Sequence, residues 1–241
     1  MRIEEVEQAG NTVDLPSQRE GSPDGDAEQE DFEVPSVAEY RAAVDAVYRD
    51  YAIEQGCARV REIEENTVSP AMRRIESEDP TRHLVGFDYR LKGEDRLSEK
   101  VGHWMDADSS LTAENAFSLV KDAIRYTFSY QEARYADAVS ADCERLEGQG
   151  FELVERRNSW GDDQYKGINS RWRCPESGQL FEVQFHTDAS FEAKQETHWA
   201  YEKLRSSSTT EVEQEELVKY QRQVTGRVEV PPGALDVPAY P

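Results

Sequence analysis

The chain has 241 residues, enough for one domain with tails, and its apolar fraction of 37% is low for a chain that packs throughout. A formal net charge of -22 speaks against passive contact with nucleic-acid backbones or anionic lipid. Cys57, Cys143 and Cys174 are odd in number and widely spaced, which excludes a disulfide framework or a structural zinc site and leads us to expect a cytoplasmic protein.

Residues 1–34 carry 11 acidic and 2 basic side chains and few large apolar ones. Such a segment cannot offset its ordering entropy, so a disordered acidic tail is expected there. The start lacks the apolar stretch of a signal peptide, and no run of about 18 apolar residues reads as a membrane span.

Pro35 and Ser36 give a helix start, and Val37, Tyr40, Val44, Val47 and Tyr51 keep helical spacing up to Gly56. A second helix is expected from about Ala58 to Glu76, interrupted near Pro70. His83 to Leu91 reads as a strand, Glu94 to Trp104 as a helix, Thr112 as a helix start, and Ala123 to Tyr130 as a strand. Gln131 to Glu147 is helical. The runs 151–157, 168–174 and 180–186 read as strands, the last two joined by the turn Pro175 to Gly178. Helices follow over 189–205 and 211–223, and the Pro-rich end reads as a tail. The fold class is α+β, a mixed sheet of about five strands flanked by helices.

Four features carry chemistry. Arg90, Lys92, Arg96 and Lys100 place four cations within eleven residues of a strand-to-helix junction, a place for a triphosphate or equally a solvated basic face. Asp122 opens a strand, and Glu182, Gln184 and His186 alternate onto one face of another, with Phe181, Val183 and Phe185 on the opposite face. Two carboxylates on neighbouring strands suit Mg²⁺, and the same polar face would also suit solvent. The loop 160–172 holds Gly161 and Gly167 together with Tyr165, Lys166 and Asn169, which suits either a nucleotide-facing loop or a hairpin connection. In the helix 189–205, His198 is a polar candidate, while Trp199 and Tyr201 read as core.

In order, RLKGEDRLSEK (90–100), DAIRYTF (122–128), GINS (167–170), EVQFHT (182–187) and THWAYEK (197–203) resemble the synthetase domain of the RelA/SpoT family over about 115 residues. That domain has an RxK motif followed by further basic residues, an aspartate at the start of a strand, a GYQS-like loop, a strand with ExQxRT and a helix with an AHW.YK pattern. The resemblance implies a nucleotidyltransferase-like catalytic domain over 35–225, between tails at 1–34 and 226–241. It implies that Arg90, Lys92 and Lys100 bind donor ATP, with Arg96 in the same cluster. Asp122 and Glu182 would position Mg²⁺, and Glu182 would also act as general base beside Gln184. Tyr165, Lys166, Gly167, Asn169, His186 and His198 would face the acceptor. The implied reaction moves the β,γ-pyrophosphate of ATP to a nucleotide 3′-hydroxyl, as in (p)ppGpp or (p)ppApp synthesis.

Four positions depart from the family pattern. Ile168 stands where the family has a base-stacking tyrosine, His186 where it has an arginine, and Arg125 and Thr127 where it has glycine and arginine. No hydrolase domain fits into residues 36–80, so the architecture is similar to the small stand-alone synthetases and the toxin branch. In that branch acceptors include adenine nucleotides and the tRNA 3′ end; here the acidity makes nucleic acid an unexpected partner. An antitoxin or a second copy of the chain would be the protein partner. The alternatives are a degenerate nucleotide-binding module of the same fold and an enzyme transferring AMP instead of pyrophosphate.

Overall fold

The computed structural model describes residues 35–241; the acidic segment 1–34 lies outside the described residues. Helix α1, Val37–Ile63, starts at a capping box in which the Ser36 side chain accepts from the Glu39 backbone and Glu39 reaches back. It runs straight through Gly56, where a helix end was expected. A side chain at Gly56 would overlap the Phe117 ring, so the glycine there permits close helix packing and does not mark a C-cap. Residues Glu64–Val68 widen into a π-helical turn before α2, Ser69–Ser77. Pro70 sits at the start of α2. Its ring would crowd the carbonyl four residues back, at Asn66, and that residue lies in the widened turn.

Strand β1 is shorter than expected, only Arg82–Leu84. Gly86, with φ 64°, turns the chain into a 3₁₀ turn at Phe87–Tyr89, and Leu91 then bridges Ile124. Helix α3 is Glu94–Ala107, and α4, Ala113–Leu119, is capped by Thr112. Strand β2 is Arg125–Tyr130, α5 Tyr135–Gly148, β3 Glu152–Asn158, β4 Ile168–Arg173 and β5 Leu180–Thr187. The β4–β5 hairpin closes at the expected turn, where Gly178 has φ 70° and its N–H donates to Cys174. Helices α6, Asp188–Leu204, and α7, Glu211–Thr225, complete the order, both opened by threonine capping boxes.

The five-stranded sheet has the order β1-β2-β5-β4-β3, with β2 and β5 parallel and every other pair antiparallel. The fold is α+β with a mixed sheet, as the sequence implied. Alternation decides its two faces. Tyr126, Phe128, Val183, Phe185, Ile168 and Trp172 are buried on one face and form the core with Met72, Ile75, Val139 and Leu146 from the helices. The opposite face carries Arg125, Thr127, Glu182, Gln184, Asn169 and Arg171. The register aligns Arg125 with Glu182 and Glu182 with Arg171, and aligns Thr127 with Gln184 and Gln184 with Asn169.

The end of the chain corrects an expectation. Residues 226–241, read as a tail, pack onto β3: Val228, Ala234 and Val237 are buried, and Arg156 pairs its backbone with Tyr240. The Asn158 side-chain amide donates to the Ala234 and Val237 carbonyls at 2.8 Å each. Prolines fix the path of this segment while its few aliphatic residues fill the edge of the core.

Candidate functional site

The polar end of the β2–β5 pair gathers most of the residues singled out in the sequence. Asp122 lies in the turn ahead of β2 and not on the strand itself. From there it accepts from Lys92 Nζ at 3.0 Å and Lys100 Nζ at 2.7 Å. The reason is local: the Lys92 N–H donates to the Ala123 carbonyl at 2.9 Å, which holds the start of α3 beside this turn, and Lys100 lies two turns along the same helix. Burial alone would raise the Asp122 pKa, but Lys100 and Lys92 outweigh it and bring it down to about 2.

Glu182 is the second carboxylate. Its side chain is 12% exposed, so it does not face open solvent. It accepts from Arg125 Nε at 2.8 Å and from Gln184 Nε2 at 2.9 Å. Gln184 is buried, and its carbonyl oxygen accepts from Lys194 of α6 and, at 3.3 Å, from Thr127. The Arg125 guanidinium also stands 3.9 Å from Asp122. Two carboxylates and the cations Lys92, Lys100, Arg125 and Lys194 therefore form one connected polar network. Lys194 has its pKa lowered to about 8, first by burial and then by Arg125, with Glu182 opposing.

Arg90 and Arg96 do not join this network. Arg90 turns inward: Nε donates to the fully buried Glu64 at 2.8 Å, and the guanidinium stacks over Phe87 at 4.2 Å. Arg96 is exposed on α3. Beside Lys92, a groove of about 280 Å³ runs along the start of α3, lined by Cys57, Val60, Leu91 and Leu97 with Arg61 and Lys92.

The loop residues divide into support and surface. Lys166 donates to the Trp160 and Asp162 carbonyls at 2.8 and 2.6 Å, so its charge closes the loop on itself. His186 is fully buried; burial keeps its ring neutral. Tyr165 donates to Asn169 Oδ1 at 2.7 Å, which leaves its oxygen to accept from His186 Nε2 at 2.9 Å, while Nδ1 faces Ser190 at 2.8 Å. Gly167 passes directly over that ring. A Cβ there would lie 2.8 Å from His186 Cε1, and its φ of 151° favours glycine. His186 and Gly167 thus set the position of the loop from beneath, and Ile168 is buried in the core. His198 is exposed on α6, one turn beyond Lys194. Trp199 and Tyr201, expected in the core, are 56% and 47% exposed, because Thr197 and Ala200 take the inner face.

Arg125 and Lys194 complete the network, and Glu64 anchors Arg90 apart from it, without any of the three having been a candidate. Lys194 had one legible signal, its position beside Ala193, Thr197 and Ala200, whose small side chains mark the inner stripe of α6. Glu64 had none, since a glutamate in a helical run reads as surface.

Whether Mg²⁺ fits between Asp122 and Glu182 follows from these contacts. An ion shared by the two would need their oxygens at roughly 2.0–2.1 Å. Both Asp122 oxygens face lysines, both Glu182 oxygens are taken, and the Arg125 guanidinium stands between the two side chains. Among the described residues no group of three or more His, Cys, Asp or Glu side chains gathers to hold a metal. So arranged, these residues do not fit a shared divalent ion.

No helix among the described residues is long and apolar enough to cross a membrane. No family model and no curated protein matches the chain. Solved structures with a similar arrangement include small alarmone synthetase 1 from Bacillus subtilis bound to its product pppGpp, at 16% identity and TM-score 0.46, over 72% of this chain and 91% of that one. Another is a GTP pyrophosphokinase family protein from Streptococcus pneumoniae, at 15% identity and TM-score 0.40, over 80% and 92%. The protein smu.1046c from Streptococcus mutans UA159 is similar at 16% identity and TM-score 0.41, over 73% and 86%.

Proposed function

We propose that this domain binds ATP at the polar end of the β2–β5 pair and transfers its β,γ-pyrophosphate to the 3′-hydroxyl of an acceptor nucleotide. The observation that carries the reading is the convergence of Lys92, Lys100, Arg125 and Lys194 around Asp122 and Glu182 in an otherwise acidic protein. Phosphate oxygens would exchange with the carboxylates as partners of these cations, and the groove beside Lys92 would take the adenine. Phosphoryl-type transfer depends mainly on positioning and charge stabilisation, which such a cluster supplies.

In the reaction the 3′-oxygen bonds to the β-phosphorus, the bond from that phosphorus to the α–β bridging oxygen breaks, and AMP leaves. Glu182, held by Gln184, would take the hydroxyl proton. The acceptor side offers Asn169 and His198; Tyr165 is tied to His186 and Ile168 is buried, so neither loop position presents a free ring to an acceptor base.

That last observation also favours a second reading, a nucleotide-binding module without turnover. Labelled ATP incubated with the purified chain and a panel of acceptors separates the readings. AMP release supports pyrophosphate transfer. Pyrophosphate release would replace it with AMP transfer, and bound but unchanged ATP would leave the binding module.

A further inference from the structure

We infer that Arg125 is a built-in counter-cation that occupies the space a divalent ion would need between Asp122 and Glu182, so that this site takes a nucleoside triphosphate without a protein-bound divalent metal. Three observations carry this. The first is position: the register places Arg125 directly opposite Glu182 on the parallel β2–β5 pair, both side chains on the polar face. The second is contact: one guanidinium reaches Glu182 at 2.8 Å and Asp122 at 3.9 Å. The third is saturation of the remaining carboxylate oxygens by Lys92, Lys100 and Gln184.

The chemistry of the substitution is consistent. A guanidinium stays charged at every physiological pH and donates in a fixed planar fork that suits carboxylates and phosphates alike. A Mg²⁺ ion neutralises a pair of carboxylates; here Arg125 together with Lys92 and Lys100 supplies that charge, and all three are delivered by the chain itself. The Arg125 side chain is 41% exposed, so one edge of the fork remains open to an incoming phosphate. With two lysines alongside, the positive charge for a triphosphate is already present. The ligand class is therefore a polyphosphate nucleotide that needs no divalent ion bridging it to the two carboxylates.

The test has two arms on the full chain. In the first, Mn²⁺ is titrated without nucleotide and followed by electron paramagnetic resonance, with an Asp122→Asn, Glu182→Gln double variant defining the background of this acidic protein. The wild type should match that background, and Arg125→Met, which keeps the length of the stem, should gain one equivalent of bound Mn²⁺. Wild-type binding above background, or no gain in Arg125→Met that melts normally, overturns the inference. If Arg125→Met fails to fold, Arg125→Gln, which retains a donor to Glu182, takes its place under the same criteria.

In the second arm, ATP affinity is measured by calorimetry at fixed ionic strength with excess Mg²⁺ or with EDTA. The affinities should agree to within about threefold, and a loss on the order of tenfold or more in EDTA overturns the inference. The ATP arm rests on the triphosphate site proposed above. Absence of ATP binding under both conditions would sink that proposal, and the Mn²⁺ arm would still decide the role of Arg125.

Discussion

Glu64, buried to the point of no exposure inside a π-helical turn, is neutralised by Arg90, which follows the 3₁₀ turn after β1, with Nε 2.8 Å from Oε1. The same carboxylate accepts from the Tyr126 hydroxyl, which also meets Ser69 at 2.8 Å. This pairing joins the α1–α2 run to the sheet. It also makes Arg90 a structural cation before it is anything else.

Arg90→Ala should therefore cost stability first. Removing one member of a buried ion pair strands the other charge, at a cost of about 3–5 kcal/mol, and the part exposure of Arg90 places this case toward the lower end. Denaturant unfolding should show that loss. A midpoint equal to wild type would mean that Glu64 finds another partner.

The ATP site is tested through the two lysines that share Asp122. Charge-assisted bonds to phosphate contribute on the order of 1.5–3 kcal/mol each, so Lys92→Ala and Lys100→Ala should each weaken ATP binding roughly 10-fold or more. Calorimetry reads this directly. If both variants bind ATP as wild type does, the donor site lies elsewhere.

Much of the fold was legible because alternation is a strong signal. In LFEVQFHT Phe181, Val183 and Phe185 fill the core while Glu182 and Gln184 join the polar network on the other face, as period two requires. Lys92, Lys100, Asp122, Glu182 and Gln184 were brought together in the structure as a set. What escaped was long-range or conformational. No local pattern says that Glu64 will be buried against an arginine 26 residues later, or that Gly86 will cut a strand short by turning left-handed. Nor does sequence show that His186 lies beneath Gly167: a polar residue in a strand reads the same whether it lines a site or supports a loop. The aliphatic residues near the end were too sparse to suggest burial, yet Val228, Ala234 and Val237 find places at the sheet edge.

Lys194 gives a pH signature with a definite sign. Its folded pKa is lowered to about 8 from an ordinary value of 10.5, so between these pH values the unfolded chain binds more protons than the native one. Stability attributable to this group therefore rises with pH across that window, and the full penalty of burying its charge applies below about pH 8. Lys194→Met removes the term. The difference in unfolding free energy between variant and wild type should shrink as pH goes from 7 to 10. A difference that stays constant would show that Lys194 is not the depressed amine. ATP affinity should move the other way, falling in the wild type as pH rises past about 8 and staying flatter in Lys194→Met.

Glu182 separates an enzyme from a binding module. It is nearly buried, it is oriented by Gln184, and it is balanced by Arg125. Glu182→Gln keeps the shape and leaves an amide oxygen able to accept from Arg125, while Asp122 remains 3.9 Å from the same guanidinium. The fold should therefore survive, with an unfolding midpoint close to wild type. ATP affinity should hold or rise slightly, because a negative charge next to the phosphates has been removed. Turnover is another matter: an amide cannot take the proton of the 3′-hydroxyl, and loss of a general base lowers rates by roughly 10² to 10⁴. The expected protein is folded, binds ATP and releases almost no AMP. Wild-type AMP release from Glu182→Gln would remove Glu182 from the chemistry and require another group to accept the proton.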